Sequence, residues 1–257
     1  MSTTTLLRFL KGALPGLMLL TVLAAHGRDK TYVVVVGVDN QNTLMGIPQA
    51  TARRAATYYK TQQHAEVHLL LDQNATLSNV RRVMKSMFAR ADKDDAIVFI
   101  FDGHGYITTS WAAGGVSVHG CAAGGLGYDE IQRIMRQSKA GRKMAFVSAC
   151  YSGGITYRHS DTRRVTPRSS ADVMIYASAP GDKPGLIGSE GADFLRYVLD
   201  GMEGAADANG DAKVTARELF NYANPLTIER FGVHPQMWGK FSDTMVVAEV
   251  NQETGCQ

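Results

Sequence analysis

The chain has 257 residues, of which 45% are hydrophobic and 20% are charged, and its formal net charge is +3. This length and composition allow one large α/β core, or one core with a small appendage, and nothing in them indicates disorder or a coiled coil. The nearly balanced charge argues against a surface built to bind nucleic acid, so we expect no nucleic-acid partner.

The first 27 residues have the pattern of a secretory signal peptide. Arg8 and Lys11 precede an apolar stretch at 12–25, and small residues suited to cleavage lie at its end. The stretch of about 14 residues is shorter than the ~20 needed to span a bilayer. We therefore expect cleavage of this segment, export of residues 28–257 to a secreted or periplasmic location, and no stable membrane anchor afterwards.

Apolar runs of strand length recur along the rest of the chain. They lie at 32–38, 67–71, 96–101, 143–149, 173–179 and 244–250. Helical patterns separate most of them, one beginning near Pro48 and a second that Thr76 or Ser78 could cap. Near-continuous apolar strands separated by helices predict a mainly parallel sheet with both faces covered. Such sheets bind ligands beyond the carboxyl ends of their strands.

Two of the predicted strands lead into motifs with reactive side chains. Residues 102–105 (DGHG) follow the third run, and residues 150–154 (CYSGG) follow the fourth. His104 and Cys150 therefore lie at the carboxyl edge of the predicted sheet. The glycines beside them let the backbone turn sharply and let a substrate approach main-chain N–H groups.

A cysteine and a histidine in this arrangement can act as a nucleophile and its base. A free thiol, with a pKa near ~8.5, becomes a good nucleophile only beside a base or a cation. Either residue alone fits a structural role, because buried thiols and hydrogen-bonded histidines are common. Together, Cys150 and His104 predict a catalytic dyad.

These motifs resemble the caspase and metacaspase group of cysteine endopeptidases, particularly its bacterial caspase-like members. Three further segments fit the same family: YVVVVGVD at 32–39, ATLSNV at 75–80 and LGYDEI at 126–131. His104 lies 46 residues before Cys150, near the roughly 50-residue offset of caspases, although the local signature differs. The resemblance implies a caspase-like three-layer sandwich over residues 28–257, with a six-stranded, mainly parallel sheet and helices on both faces.

The activity implied by the resemblance is that of a thiol protease, a hydrolase that cleaves protein or peptide substrates through an acyl-enzyme. Cys150 would be the nucleophile, His104 the base, and the N–H groups of Gly105 and Cys150 the oxyanion site, with no cofactor required for the chemistry. A catalytically silent caspase-fold binding module and a legumain-like acyl transferase also fit these residues. Ser148 and Ala50 replace two acids of the metacaspase pattern, which leaves side-chain specificity open.

Residues 207–218 (DANGDAKVTARE) resemble an EF-hand loop, which makes calcium the metal cofactor that this sequence suggests. The ligands would come from Asp207, Asn209, Asp211, Lys213, Thr215 and Glu218. Ala212 departs from the pattern, because the sharp turn there normally takes glycine and alanine has a steric cost. The alternative is a plain turn before a helix at 215–223 that Thr215 caps.

The exported chain retains three cysteines: Cys121, Cys150 and Cys256. An odd number in an oxidising compartment leaves at least one thiol unpaired within the chain, which fits a reactive Cys150. A disulfide between Cys121 and Cys256 and two buried thiols both remain open.

Residues 157–170 (YRHSDTRRVTPRSS) are polar, basic and rich in turn formers, which predicts an exposed loop. A comparable linker in the resembled family is often cut during maturation. A solvated loop that is never processed is the simpler alternative.

Overall fold

The described part of the chain folds into a central sheet with helices on both of its faces. The computed structural model describes residues 29–108, 114–121, 124–156, 173–184, 193–239 and 241–250. In chain order the strands are β1 (Thr31–Val38), β2 (Ala65–Leu71), β3 (Ala96–Gly103), β4 (Gly105–Tyr106), β5 (Gly115–Ser117), β6 (Gly125–Gly127), β7 (Arg142–Ser148), β8 (Met174–Ala177), β9 (Lys213–Thr215), β10 (Gln236–Trp238) and β11 (Val246–Glu249). The helices are α1 (Ile47–Thr61), α2 (Leu77–Phe88), α3 (Tyr128–Gln137), α4 (Asp193–Asp200) and α5 (Ala216–Phe231).

Six strands form the central sheet in the order β10-β8-β7-β3-β1-β2. The five from β8 to β2 are parallel, and β10 pairs with β8 in the antiparallel direction. Every residue of β1 after the first is buried, which explains why its sequence is nearly all apolar. The mainly parallel sheet expected from the sequence is confirmed.

Alternate residues of the central strands pack into two separate cores. Val34 and Val36 of β1 pack with α2 and α3, whereas Val33 and Val35 pack with α1, α4 and α5. This alternation is the period of two that a strand imposes on its side chains. The sheet is therefore the middle layer of a three-layer α/β sandwich.

The sixth strand of the sheet is not the one that the apolar pattern predicted. The run at 244–250 does contain a strand, β11, but β11 pairs with β9 in a separate two-stranded antiparallel sheet. The sixth position in the central sheet belongs to β10, which is only three residues long. Three residues are too few for an alternating pattern to be visible in the sequence.

The helices begin close to the predicted positions. Pro48 lies in the first turn of α1, and Thr76 caps α2 by accepting the N–H of Asn79 at 3.3 Å. The helix predicted at 215–223 continues as α5 to Phe231. It extends further because one face of its later turns is buried, and packing stabilises a helix beyond its local propensity.

Three predictions concern residues outside the described part of the chain. They are the signal peptide at 1–27, the exposed loop at 157–170 and the pairing of Cys256. Within the described ranges, no helix has both the length and the apolar character needed to cross a bilayer.

Candidate active site

Three neighbouring strands end side by side at one edge of the central sheet. Gly37 of β1 pairs with Asp102 of β3, and Asp102 pairs with Ser148 of β7. Because adjacent strands are about 4.8 Å apart, the loops that follow these residues start next to one another. Two positions after these three paired residues, the sequence places Asp39, His104 and Cys150.

The loops that carry His104 and Cys150 are in direct contact. A Cβ atom added to Gly105 would lie 1.9 Å from the carbonyl oxygen of Cys150, so only glycine fits at position 105. The same carbonyl oxygen accepts a hydrogen bond from the hydroxyl of Tyr128 at 3.3 Å. The structure thus brings His104, Gly105 and Cys150 together at the edge of the sheet.

His104 is held through both its backbone and its ring. Its carbonyl oxygen accepts the N–H of Ser117 at 2.8 Å. Its Nε2 atom lies 3.0 Å from Oγ1 of Thr43 and 3.6 Å from Oδ1 of Asp39. The side chain is 18% exposed, so the imidazole is accessible from the surface. With Nε2 engaged, Nδ1 is the ring nitrogen that remains for a second partner.

A tight turn after β7 carries Cys150. Tyr151 has a φ of 59°, in the left-handed region, and its N–H donates to the carbonyl oxygen of Lys183 at 3.0 Å. A Cβ added to Gly153 would lie 2.7 Å from the carbonyl oxygen of Ala179, so this turn also needs a glycine. Cys150 itself is half-buried and carries a thiol, not half of a disulfide.

A buried acid, Asp102, lies beside the site. The residue is 1% exposed, and burial raises the pKa of its carboxyl to about 7. The hydroxyls of Ser148 and Thr51 and the N–H of Gly103 act in the opposite direction on this pKa without cancelling the effect of burial. None of these groups meets the carboxyl in good hydrogen-bond geometry, and both of its oxygens lack a partner among the described residues. Asp102 pairs with Ser148 on the neighbouring strand. The position where Ser148 replaces an acid of the metacaspase pattern thus has a carboxyl group beside it.

The loop suggested for calcium has oxygens that its own backbone already engages. Oδ1 of Asp207 accepts N–H groups from Gly210 and Asp211 at 2.8 and 3.2 Å, and Oδ2 accepts the N–H of Ala212 at 2.9 Å. Ala212 has a φ of 62°, so it adopts the left-handed conformation expected to be costly for alanine. Asn209 also bonds within the loop, since its Oδ1 accepts the N–H of Asp211 at 2.9 Å.

The last proposed ligand of that loop is used as a helix cap. Oε2 of Glu218 accepts the N–H of Thr215 at 2.9 Å, while Oγ1 of Thr215 accepts the N–H of Glu218 at 3.2 Å. These two bonds form a capping box at the start of α5. Across the described ranges, no three or more His, Cys, Asp or Glu side chains are grouped to hold a metal ion. As arranged, the loop does not form a calcium cage, and calcium binding stays a prediction.

Three residues that contact the site were not predicted as site residues: Asp39, Thr43 and Tyr128. The rule that ligands bind beyond the carboxyl ends of parallel strands could have pointed to Asp39, because it follows β1 directly. No sequence signal identifies Thr43, and Tyr128 lies in the LGYDEI segment at 126–131, where nothing marks it as a site residue. They reach the site because a loop and the start of α3 fold against the sheet edge.

The fold and the site define an α/β protein in which the loops that carry a cysteine and a histidine are in contact at the carboxyl edge of a mainly parallel sheet. The crystal structure of protein GSU0716 from Geobacter sulfurreducens is similar, with 14% sequence identity and a TM-score of 0.54 over 81% of this chain and 92% of that one. At this identity the likeness shows the fold alone. No protein-family model matches the sequence, and neither does any curated protein.

Proposed function

We propose that this chain is a secreted or periplasmic cysteine endopeptidase with a caspase-like fold. One observation carries the proposal, namely the direct contact between the loops of His104 and Cys150 at the sheet edge. The edge is where open parallel sheets bind their ligands. The engagement of Nε2 of His104 supports the proposal further, because it gives the ring a defined orientation.

The proposed reaction begins when Nδ1 of His104 takes the proton of the Cys150 thiol. The thiolate adds to the carbonyl carbon of a peptide bond, and the oxygen of that carbonyl becomes an oxyanion. When the C–N bond breaks, His104 protonates the leaving amine, and an acyl-enzyme on Cys150 remains. Water then adds to the thioester with His104 again as the base, which releases the acid and restores the thiol.

The backbone N–H groups of Gly105 and Cys150 are the proposed donors to the oxyanion. The close approach of Gly105 to the Cys150 carbonyl supports this pairing, because it keeps the two residues adjacent. Donors held in place before the reaction stabilise developing charge without reorganising. A side chain at position 105 would separate the two segments and disrupt this arrangement.

The direct test is hydrolysis of a diverse peptide library by the purified mature chain, with the products identified by mass spectrometry. Each preparation is measured with reductant, and with and without calcium. We expect cleavage that Cys150→Ala abolishes. Cys121→Ala is the matched control, because Cys121 is the other thiol in the described part of the chain, and this variant should retain activity.

The products also separate the proposal from its alternatives. Hydrolysed peptides that depend on Cys150 support the endopeptidase. Ligated peptides would instead indicate an acyl transferase that uses the same acyl-enzyme. Absence of both, from a folded chain under every condition, would leave the binding module as the better interpretation.

A further inference from the structure

The loop after β1 builds a buried carboxylate beside the ring of His104. Asp39 is 6% exposed. Its Oδ1 accepts the N–H of Thr43 at 3.1 Å, and its Oδ2 accepts the N–H of Leu44 at 2.9 Å. These two bonds hold the carboxyl group in one orientation. Oδ1 also lies 3.6 Å from Nε2 of His104.

Thr43 connects this carboxylate to the histidine. Its Oγ1 lies 3.0 Å from Nε2 of His104. Because the backbone N–H of Thr43 is bonded to Asp39, the carboxylate also determines where the hydroxyl lies. Asp39 therefore acts on the imidazole in two ways, through space from Oδ1 and through the position of Thr43.

Asp39 is itself anchored from the neighbouring strand. Its N–H donates to Oδ1 of Asp72 at 3.4 Å, and the same oxygen accepts Nε2 of Gln49 at 2.7 Å. Asp72 has a φ of 40°, at the turn that ends β2. The contacts thus run from the end of β2 through the end of β1 to the end of β3.

We infer that Asp39 and Thr43 are positioning residues for His104 and complete a Cys150–His104–Asp39 triad. Thr43 accepts the Nε2–H hydrogen bond, which selects the tautomer with Nδ1 free to take the proton of Cys150. Once the ring is protonated, the carboxylate of Asp39 faces the new positive charge. This inference rests on the proposed function, because it assigns roles within the same site.

The alternative is that Asp39 only caps its own loop, and a comparison at Thr43 distinguishes the two. Thr43→Val removes the hydroxyl with little change of shape at an exposed position, whereas Thr43→Ser keeps the hydroxyl. We expect Thr43→Val to lower kcat about 10- to 100-fold with KM nearly unchanged, since a misplaced catalytic group costs rate and not ground-state binding. Thr43→Ser should stay within about threefold of the wild type.

Asp39→Asn provides the second variant. It keeps one acceptor oxygen for the loop but removes the negative charge, and we expect a loss of kcat about as large as in Thr43→Val. Unchanged kcat in Thr43→Val, or an equal loss in Thr43→Ser and Thr43→Val, would overturn the inference. Thermal unfolding of each variant shows whether a loss of rate reflects a loss of fold.

Alkylation of Cys150 by iodoacetamide keeps this test separate from the test of peptidase activity. The rate of alkylation follows the thiolate fraction and needs no peptide substrate. We expect alkylation to be about tenfold slower in both Thr43→Val and Asp39→Asn than in the wild type. If the wild type hydrolyses no peptide but the variants alkylate slowly, the proposed function fails and the positioning role stands. If hydrolysis depends on Cys150 but neither kcat nor alkylation changes in the variants, the positioning role fails alone.

Discussion

The carboxyl edge of the sheet and the loop at 207–218 both carry polar residues in motif spacing, but they organise those residues differently. At the edge, side chains separated by tens of residues converge because parallel strands end side by side. In the loop, neighbouring oxygens bond to their own backbone and to the start of α5. At the sheet edge, side chains from distant parts of the chain surround a place where a ligand can bind. In the loop, the polar oxygens are used in hydrogen bonds that hold the loop and the start of α5 in shape.

Replacement of His104 has the largest expected effect on the edge site. His104→Ala removes the proposed base, and we expect turnover of any Cys150-dependent substrate to fall about a thousandfold. His68→Ala is the control, because His68 is exposed on the edge strand β2. Steady-state kinetics on the best substrate from the peptide library makes the comparison. Equal activity in His104→Ala and His68→Ala would contradict the role of the edge as a catalytic site.

Asp102→Asn tests the buried carboxyl at the same edge. Its folded pKa of about 7 exceeds the ordinary 3.8, so the folded chain holds this proton at pH values where the unfolded chain has lost it. Wild-type stability should therefore fall as the pH rises from about 4 to about 7, by up to about 4 kcal/mol from this group. The neutral amide removes this dependence.

Urea unfolding at pH 5 and pH 8 measures the effect of Asp102→Asn. We expect the free energy of unfolding of the variant to improve relative to the wild type by about 3 kcal/mol between these two pH values. A difference between variant and wild type that is the same at both pH values would show that the carboxyl is already charged in the folded state.

Gly105→Ala tests the contact between the loops that carry His104 and Cys150. The added methyl group meets the carbonyl of Cys150, and overpacking of this kind costs about 1 to 3 kcal/mol. Gly124→Ala is the matched control, since a Cβ at position 124 meets no atom of the described residues within 4 Å. Gly105→Ala should lower both the free energy of unfolding, measured with a denaturant, and the rate of peptide hydrolysis. Both quantities should be nearly unchanged in Gly124→Ala. Similar values for the two variants would mean that the loops separate easily.

The smallest effect is expected in the loop. Thr215→Ala removes the cap of α5 and should lower the free energy of unfolding by about 1 kcal/mol, with Thr215→Ser close to the wild type. The same measurement with added calcium sharpens the comparison of the two regions. A calcium-dependent rise in the wild-type unfolding midpoint would mean that Glu218 leaves the cap to bind the ion, and the loop would then also be a ligand site.

Periodicity predicted much of the fold, because long buried strands and amphipathic helices leave patterns in the sequence. For this reason, the apolar runs at 32–38, 96–101 and 143–149 predict both ends of β1, β3 and β7 to within two residues. The three-residue strand β10 carries almost no periodic signal, so the apolar pattern does not predict it. The run that contains β11 is visible in the sequence, but periodicity does not show that β11 pairs with β9 and not with the central sheet. Their partners depend on packing around the whole sheet.

The sequence by itself determined that His104 and Cys150 follow buried strands, because apolar runs and glycine-rich turns are local properties of the chain. Only the tertiary structure decided that Gly105 touches the Cys150 carbonyl, that Thr43 and Asp39 lie beside Nε2 of His104, and that Asp102 is buried. These contacts depend on strand order and register, which join residues far apart in the chain. No local pattern encodes them, because they form when the sheet assembles.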